Sequence, residues 1–105
     1  MNPLRISAAE AHRKIAAGTA LLVCAYEDDE RYRYGRLEGS ISYYEFRTLE
    51  PGLRMDDEII FYCGWRHERT STSVAARYMN EGYTNVKVLK KGINGWMESG
   101  FAIIG

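Results

Sequence analysis

Several features that would point directly to a function are missing from this chain. Fourteen acidic residues cancel fourteen basic ones, so the formal net charge at pH 7 is zero. Without a basic excess no long-range field draws the protein to nucleic acid or an anionic bilayer, and neither is expected as a partner. No apolar run approaches the length of a membrane span, and the opening Met1-Asn2-Pro3-Leu4-Arg5-Ile6-Ser7 has no apolar signal core. The expected location is therefore the cytoplasm. Cysteine is scarce, with only Cys24 and Cys63. In a reducing compartment, two such residues read as free or redox-active thiols rather than a structural staple. Neither His12 nor His67 makes metal-ligand spacing with them, so no metal and no cofactor are expected. No repeat, low-complexity tract or linker divides the 105 residues, which read as one domain, 1–105.

What remains is short apolar runs alternating with helical patterns. Leu4-Arg5-Ile6 is a first strand. Ser7 then caps a helix, and Glu10 three residues on completes a capping box; the helix stops at Gly18. Ala20 to Cys24 is continuously apolar, as a strand buried on both faces of a parallel sheet would be. Asp28 to Tyr34 reads as a short surface helix or turn, Ser40-Ile41-Ser42 as a minimal third strand, and Phe46 to Leu53 as a short helix with a Pro-Gly turn. Glu58 to Tyr62 is a fourth strand, Thr70 to Glu81 a long helix, Val86 to Leu89 a fifth strand, and Ile93 to Ser99 a last helix. This alternation predicts an α/β fold: a three-layer, doubly wound domain with a central five-stranded, mostly parallel sheet flanked by helices. Ligands in such sheets bind beyond the carboxyl ends of the strands.

Cys63 falls at that place. It ends the run Ile59-Ile60-Phe61-Tyr62 and opens Cys63-Gly64-Trp65-Arg66-His67-Glu68-Arg69-Thr70-Ser71, after which the alanine-rich helix begins. A strand, a short loop and a helix N-terminus build an anion-binding nucleophile, because loop amides and the helix dipole favour negative charge. Arg66 and Arg69 add cationic charge within six residues of the thiol. A cysteine ending a buried strand is often only a small apolar residue, but this surrounding loop favours catalysis. Cys24 closes its own apolar strand, and core filling is the simpler account of it. His12 is placed on the exposed side of the first helix. The tyrosines at 26, 32, 34, 43 and 44 are read as packing around a charged surface helix, with Arg31, Arg33 and Arg36 on a solvated face. Trp96 and Phe101 are read as core and C-terminal packing.

With the loop placed, the whole chain resembles a single rhodanese-like domain. Ile6-Ser7-Ala8-Ala9-Glu10 is similar to the opening strand and cap of that family, and Gly35-Arg36-Leu37-Glu38-Gly39-Ser40-Ile41 to its Gly-His-Ile-Pro-Gly-Ala segment. Ile59 to Cys63 resembles the strand that ends in the catalytic cysteine. Glu81-Gly82-Tyr83, Val86, Val88-Leu89 and Gly92-Ile93-Asn94-Gly95-Trp96 match its helix end, last strand and Gly-x-x-x-Trp signature. Two departures stand out. The second strand ends Cys24-Ala25-Tyr26 where the family usually has Asp-x-Arg. The loop reads Cys-x5-Arg from Cys63 to Arg69, longer than the commonest sulfurtransferase version. In length, and in Glu68 just before the arginine, it is similar to the loop of dual-specificity phosphatases and arsenate reductases of the same fold. Those enzymes usually carry His where Tyr62 stands. Some bacterial rhodanese modules also have the longer loop.

The resemblance implies a sulfurtransferase in which Cys63 takes a sulfane sulfur from a small anionic donor such as thiosulfate and passes it to a thiol or protein acceptor. Gly64, Trp65, Arg66, His67, Glu68, Arg69 and Thr70 would form the anion-binding loop. Arg69 would return over the bowl, Arg66 would stand near the apex, Glu68 would pair with either arginine, and Trp65 and His67 would line the rim. A phosphatase or arsenate reductase, with Glu68 as the one candidate acid, and a non-catalytic redox or regulatory module are the alternatives. The related phosphatases place a second cysteine one residue beyond Cys24, so Cys24 is a candidate resolving thiol for Cys63. A monomer is expected.

Overall fold

The computed structural model describes residues 2–64 and 68–105. The chain runs β1 (Leu4–Ile6), α1 (Ala8–Ala16), β2 (Leu21–Cys24), α2 (Asp29–Tyr34), β3 (Arg36–Leu37), α3 (Tyr43–Leu49), a 3-10 turn (Glu50–Gly52), β4 (Ile59–Tyr62), α4 (Arg69–Asn80), β5 (Val86–Leu89), α5 (Gly92–Glu98) and β6 (Ile103–Ile104). Local chemistry sets several of these boundaries. The Ser7 hydroxyl accepts from the Glu10 amide at 3.1 Å, as the capping box predicts, and Gly18 leaves the helix with φ +75°. Asp28 and Ser42 cap α2 and α3 in the same way.

The main sheet is parallel, in the order β1-β5-β4-β2. It has four strands rather than the predicted five. The Ser40–Ser42 segment, expected as the third strand, lies beside β2 but contributes one parallel bridge, Ile41 to Val23. Ser42 already caps α3, accepting from the Glu45 amide at 3.1 Å, so the backbone turns away before a strand can form. A second, two-stranded antiparallel sheet pairs β3 with β6. No sequence pattern announced it, because two-residue strands are too short for a period of two to show.

Helices cover both faces, and the core divides accordingly. On one face, α3 and α4 pack Phe46, Val74, Ala75 and Tyr78 against Val23, Ala25, Phe61 and Val88. Phe46 meets both Phe61 and Tyr78 edge to face, with ring centres 5.5 and 5.4 Å apart. On the other face, α1 and α5 bring Ala11 and Trp96 onto Leu22, Cys24, Ile60, Tyr62 and Leu89. His12, placed on the exposed side by the sequence reading, instead stacks on Phe101 at 3.9 Å and leans on Trp96. The family signature has a steric basis here: a β-carbon on Gly95 would lie 2.5 Å from the backbone oxygen of Lys90. At the amino end of the sheet Glu58, 9% exposed, is held by Lys14 at 2.8 Å and by Lys87. Burial opposes ionisation of Glu58, but hydrogen bonds from the two lysines outweigh it and hold the carboxyl below the usual range. No helix among the described residues is long and apolar enough to cross a membrane.

Candidate active site

The carboxyl end of the sheet gathers the residues singled out by sequence. Cys63 follows β4 directly and is fully buried, facing the N-terminal turns of α4. Its Sγ is 3.3 Å from the hydroxyl of Ser71, which in turn donates to the Glu68 carbonyl oxygen at 3.1 Å. A neutral thiol therefore donates to Ser71. When the thiol ionises, the same hydroxyl can rotate and donate to the sulfur. Ser71 is itself fully buried, and the sequence reading gave it no role at the site.

Strand register separates the two cysteines. Cys24 is paired with Tyr62, and the Ala25 amide continues the ladder onto the Tyr62 carbonyl at 2.8 Å. Cys63 is one residue past Tyr62, so alternation turns it to the α4 face, while Cys24 packs with Tyr62 and Trp96 on the other. The structure thus does not present Cys24 to Cys63 as a resolving thiol. Burial pushes the Cys24 thiol up, so it stays protonated at neutral pH.

Glu68 corrects a second expectation. Rather than pairing with Arg69, its carboxylate receives Nε and Nη2 of Arg5, from β1, at 2.8 and 2.7 Å, and the Lys91 amide at 3.0 Å, while the pairing expected with Arg66 falls on a residue outside the described ones. The hydrogen bonds from Arg5, and then the Lys91 amide, outweigh partial burial and hold this carboxyl below the usual range. Glu68 therefore anchors the start of α4 to β1 and to the β5–α5 turn, where Lys91 adopts a left-handed φ of 61°. Trp65, Arg66 and His67 lie outside the described residues.

Tyr26 stands where the Asp-x-Arg pattern would place its arginine. Its hydroxyl accepts from the Gly64 amide at 3.1 Å, and the Arg31 guanidinium lies 4.6 Å from its ring centre. The tyrosine thereby braces the first loop residue. The only sequence signal for this role was the departure itself. Two cavities flank the ring. One, of about 410 Å³, is the more polar of the two and is bordered by Ala25, Glu27, Arg69, Thr70, Ser73 and Arg77. The other, of about 530 Å³, lies between α2, α5 and β6 and reaches Gly64. Arg69 is exposed at the first turn of α4 and faces the polar cavity with Thr70. Tyr62, in the family's pre-cysteine position, faces away from the loop and contacts the Ser40 hydroxyl at 3.0 Å. Burial pushes its phenol up.

A strand-end cysteine before a helix N-terminus, on a parallel sheet of this order, agrees with the family match. The rhodanese-like domain profile matches residues 7–99. The chain belongs to the rhodanese-like domain family. Solved structures agree in fold. The rhodanese-like domain of an Anabaena sp. protein superposes with a TM-score of 0.78 at 16% identity, covering 100% of this chain and 80% of that one. A Bacillus halodurans protein gives 0.79 at 23% identity, over 97% of this chain and 77% of its own. A thiosulfate sulfurtransferase from Pseudomonas aeruginosa gives 0.75 at 20% identity, covering 96% of this chain but 20% of that protein. Among curated proteins none matches. At these identities the likeness establishes the rhodanese-like fold, and the chemistry rests on the residues of this domain.

Proposed function

We propose that this rhodanese-like domain is a sulfurtransferase that carries sulfur as a persulfide on Cys63. The observation that bears the most weight is the placement of Cys63: after β4, on the hydroxyl of Ser71, at the N-terminus of a twelve-residue helix. The Cys63 thiolate attacks the outer sulfur of thiosulfate, the sulfur–sulfur bond breaks, and sulfite leaves with the electron pair. An acceptor thiolate then attacks the outer sulfur of the persulfide, and the Cys63 thiolate is released. No external oxidant or reductant is needed, and no metal or cofactor takes part. The more polar cavity offers a small dianionic donor the guanidinium groups of Arg69 and Arg77 and the Thr70 hydroxyl, which outnumber the one carboxylate at its border, Glu27. The acceptor is a thiol or a protein, and the unit acts as a monomer without nucleic acid or membrane partners.

The phosphatase or arsenate reductase reading loses the proton donor it was given, since Glu68 is held as a carboxylate by Arg5 and the Lys91 amide. A non-catalytic redox or regulatory module is the second reading, and the complete burial of Cys63 favours it. Intact mass after incubation with thiosulfate separates the two. Sulfur transfer predicts a gain of one sulfur atom that cyanide removes and that Cys63→Ser never acquires. A protein that keeps its mass under saturating thiosulfate overturns the proposal in favour of the second reading.

A further inference from the structure

The larger cavity beside Tyr26 is not explained by a thiosulfate donor. At about 530 Å³ it is far roomier than that compact dianion requires. It falls within the range of small-molecule sites, roughly 300–1,000 Å³. Its character also differs from the cavity across the ring. Ile93 and Met97 of α5, Ile103 of β6 and the ring of Tyr34 make apolar walls, and Arg31 supplies the one cationic group among the described residues. Gly64, the residue bonded to Cys63, is among its lining residues, so the cavity reaches within one residue of the reacting cysteine. Arg31 has no carboxylate partner among the described residues, whereas neighbouring Arg33 is paired with Asp29 at 2.9 Å. Met97 and Tyr34 remain 51% and 86% exposed, leaving apolar surface at the rim.

We infer that this cavity holds the carbon body of the sulfur acceptor: an organic thiol with an apolar chain and one anionic group directed at Arg31. The inference rests on the sulfur-transfer reading and adds acceptor selectivity to it. Donor and acceptor then approach from opposite sides of Tyr26, the dianion by Arg69 and the apolar thiol by Ile93 and Met97. In the second half-reaction the acceptor thiolate takes the outer sulfur of the Cys63 persulfide. One sulfur–sulfur bond forms, one breaks, and the electron pair returns to Cys63.

The test uses the whole protein with thiosulfate as donor and compares kcat/KM for cyanide, for mercaptoalkanoates of two to six carbons, and for aminoalkanethiols of matching length. An apolar site predicts a gain of about fourfold for each methylene that it buries fully. A partly exposed arginine predicts about a fivefold preference for carboxylate over amine. Arg31→Glu should reverse the carboxylate preference, and Met97→Glu should flatten the dependence on chain length. Tyr44→Ala, on an exposed tyrosine remote from the cavity, should change neither. If thiosulfate and cyanide support turnover but chain length and end-group charge have no effect, or neither variant alters them, the acceptor site is refuted and the sulfur-transfer reading stands. If no persulfide forms in the unmodified protein, the sulfur-transfer reading itself fails, and the acceptor site with it.

Discussion

Replacing Ser71 by alanine removes the one described side chain placed to serve the Cys63 sulfur in both protonation states. The hydroxyl is 3.3 Å from Sγ and fully buried, so water does not take its place without rearrangement. A hydrogen bond to a charged acceptor contributes about 1.5–3 kcal/mol; for a large, soft sulfur we take about 1.5, or about tenfold in stabilisation of the anionic nucleophile. Stabilising a thiolate also blunts it: nucleophilicity falls with a slope of about 0.4–0.5, so roughly half of that gain survives in the rate. Ser71→Ala should therefore form persulfide about three- to fivefold more slowly at pH 7, followed by quenched intact mass over a thiosulfate series. Loss of the bond to the Glu68 carbonyl should separately cost about 1 kcal/mol, or about 4–8 °C in melting temperature. Ser71→Thr, which keeps a hydroxyl, should recover part of the rate. A rate within twofold of the parent at pH 7 would refute the assigned role.

Glu58→Gln leaves Lys14 and Lys87 without their carboxylate and should cost about 2 kcal/mol at pH 7, below the figure for fully buried pairs because both lysines are partly exposed. Since the folded carboxyl titrates below its unfolded value of about 4.3, the contribution is complete well above that value and lost as pH falls through the folded one. Urea melts of parent and variant should thus differ at pH 7 and draw together as the pH is lowered through the acid range; a constant gap would contradict this. Gly95→Ala forces a β-carbon to 2.5 Å from the Lys90 oxygen and should cost about 2–3 kcal/mol by thermal melt, whereas a loss under 0.5 would show that the turn yields easily. Peroxide treatment should give no Cys24–Cys63 disulfide, because the register turns the two thiols to opposite faces; a crosslinked peptide in the digest would overturn that placement.

Much of the fold was legible because its signals are local. Ser7 with Glu10, the continuous apolar runs of β2 and β4, and the alanine-rich α4 each occupy a few neighbouring residues. The strand–loop–helix arrangement likewise put Cys63 at the sheet's carboxyl end from sequence alone. What escaped depends on distant partners. Glu68 is one residue from Arg69, yet it pairs with Arg5, which is 63 positions away and adjacent only because β1 joins the sheet. The β3–β6 pair spans most of the chain, so neither of its two-residue strands carries a pattern of its own. Cys24 and Cys63 belong to neighbouring strands, but whether they share a face depends on a one-residue register that composition leaves open.

The lone bridge at Ile41 has a dynamic consequence. Along that margin β2 is secured by two backbone hydrogen bonds, Cys24 N–H to the Ile41 carbonyl and Ile41 N–H to the Leu22 carbonyl. Its opposite margin carries a four-residue ladder to β4. The outer seam can part while the inner one holds, so the amide protons of Cys24 and Ile41 should trade with solvent deuterium well ahead of those in β4.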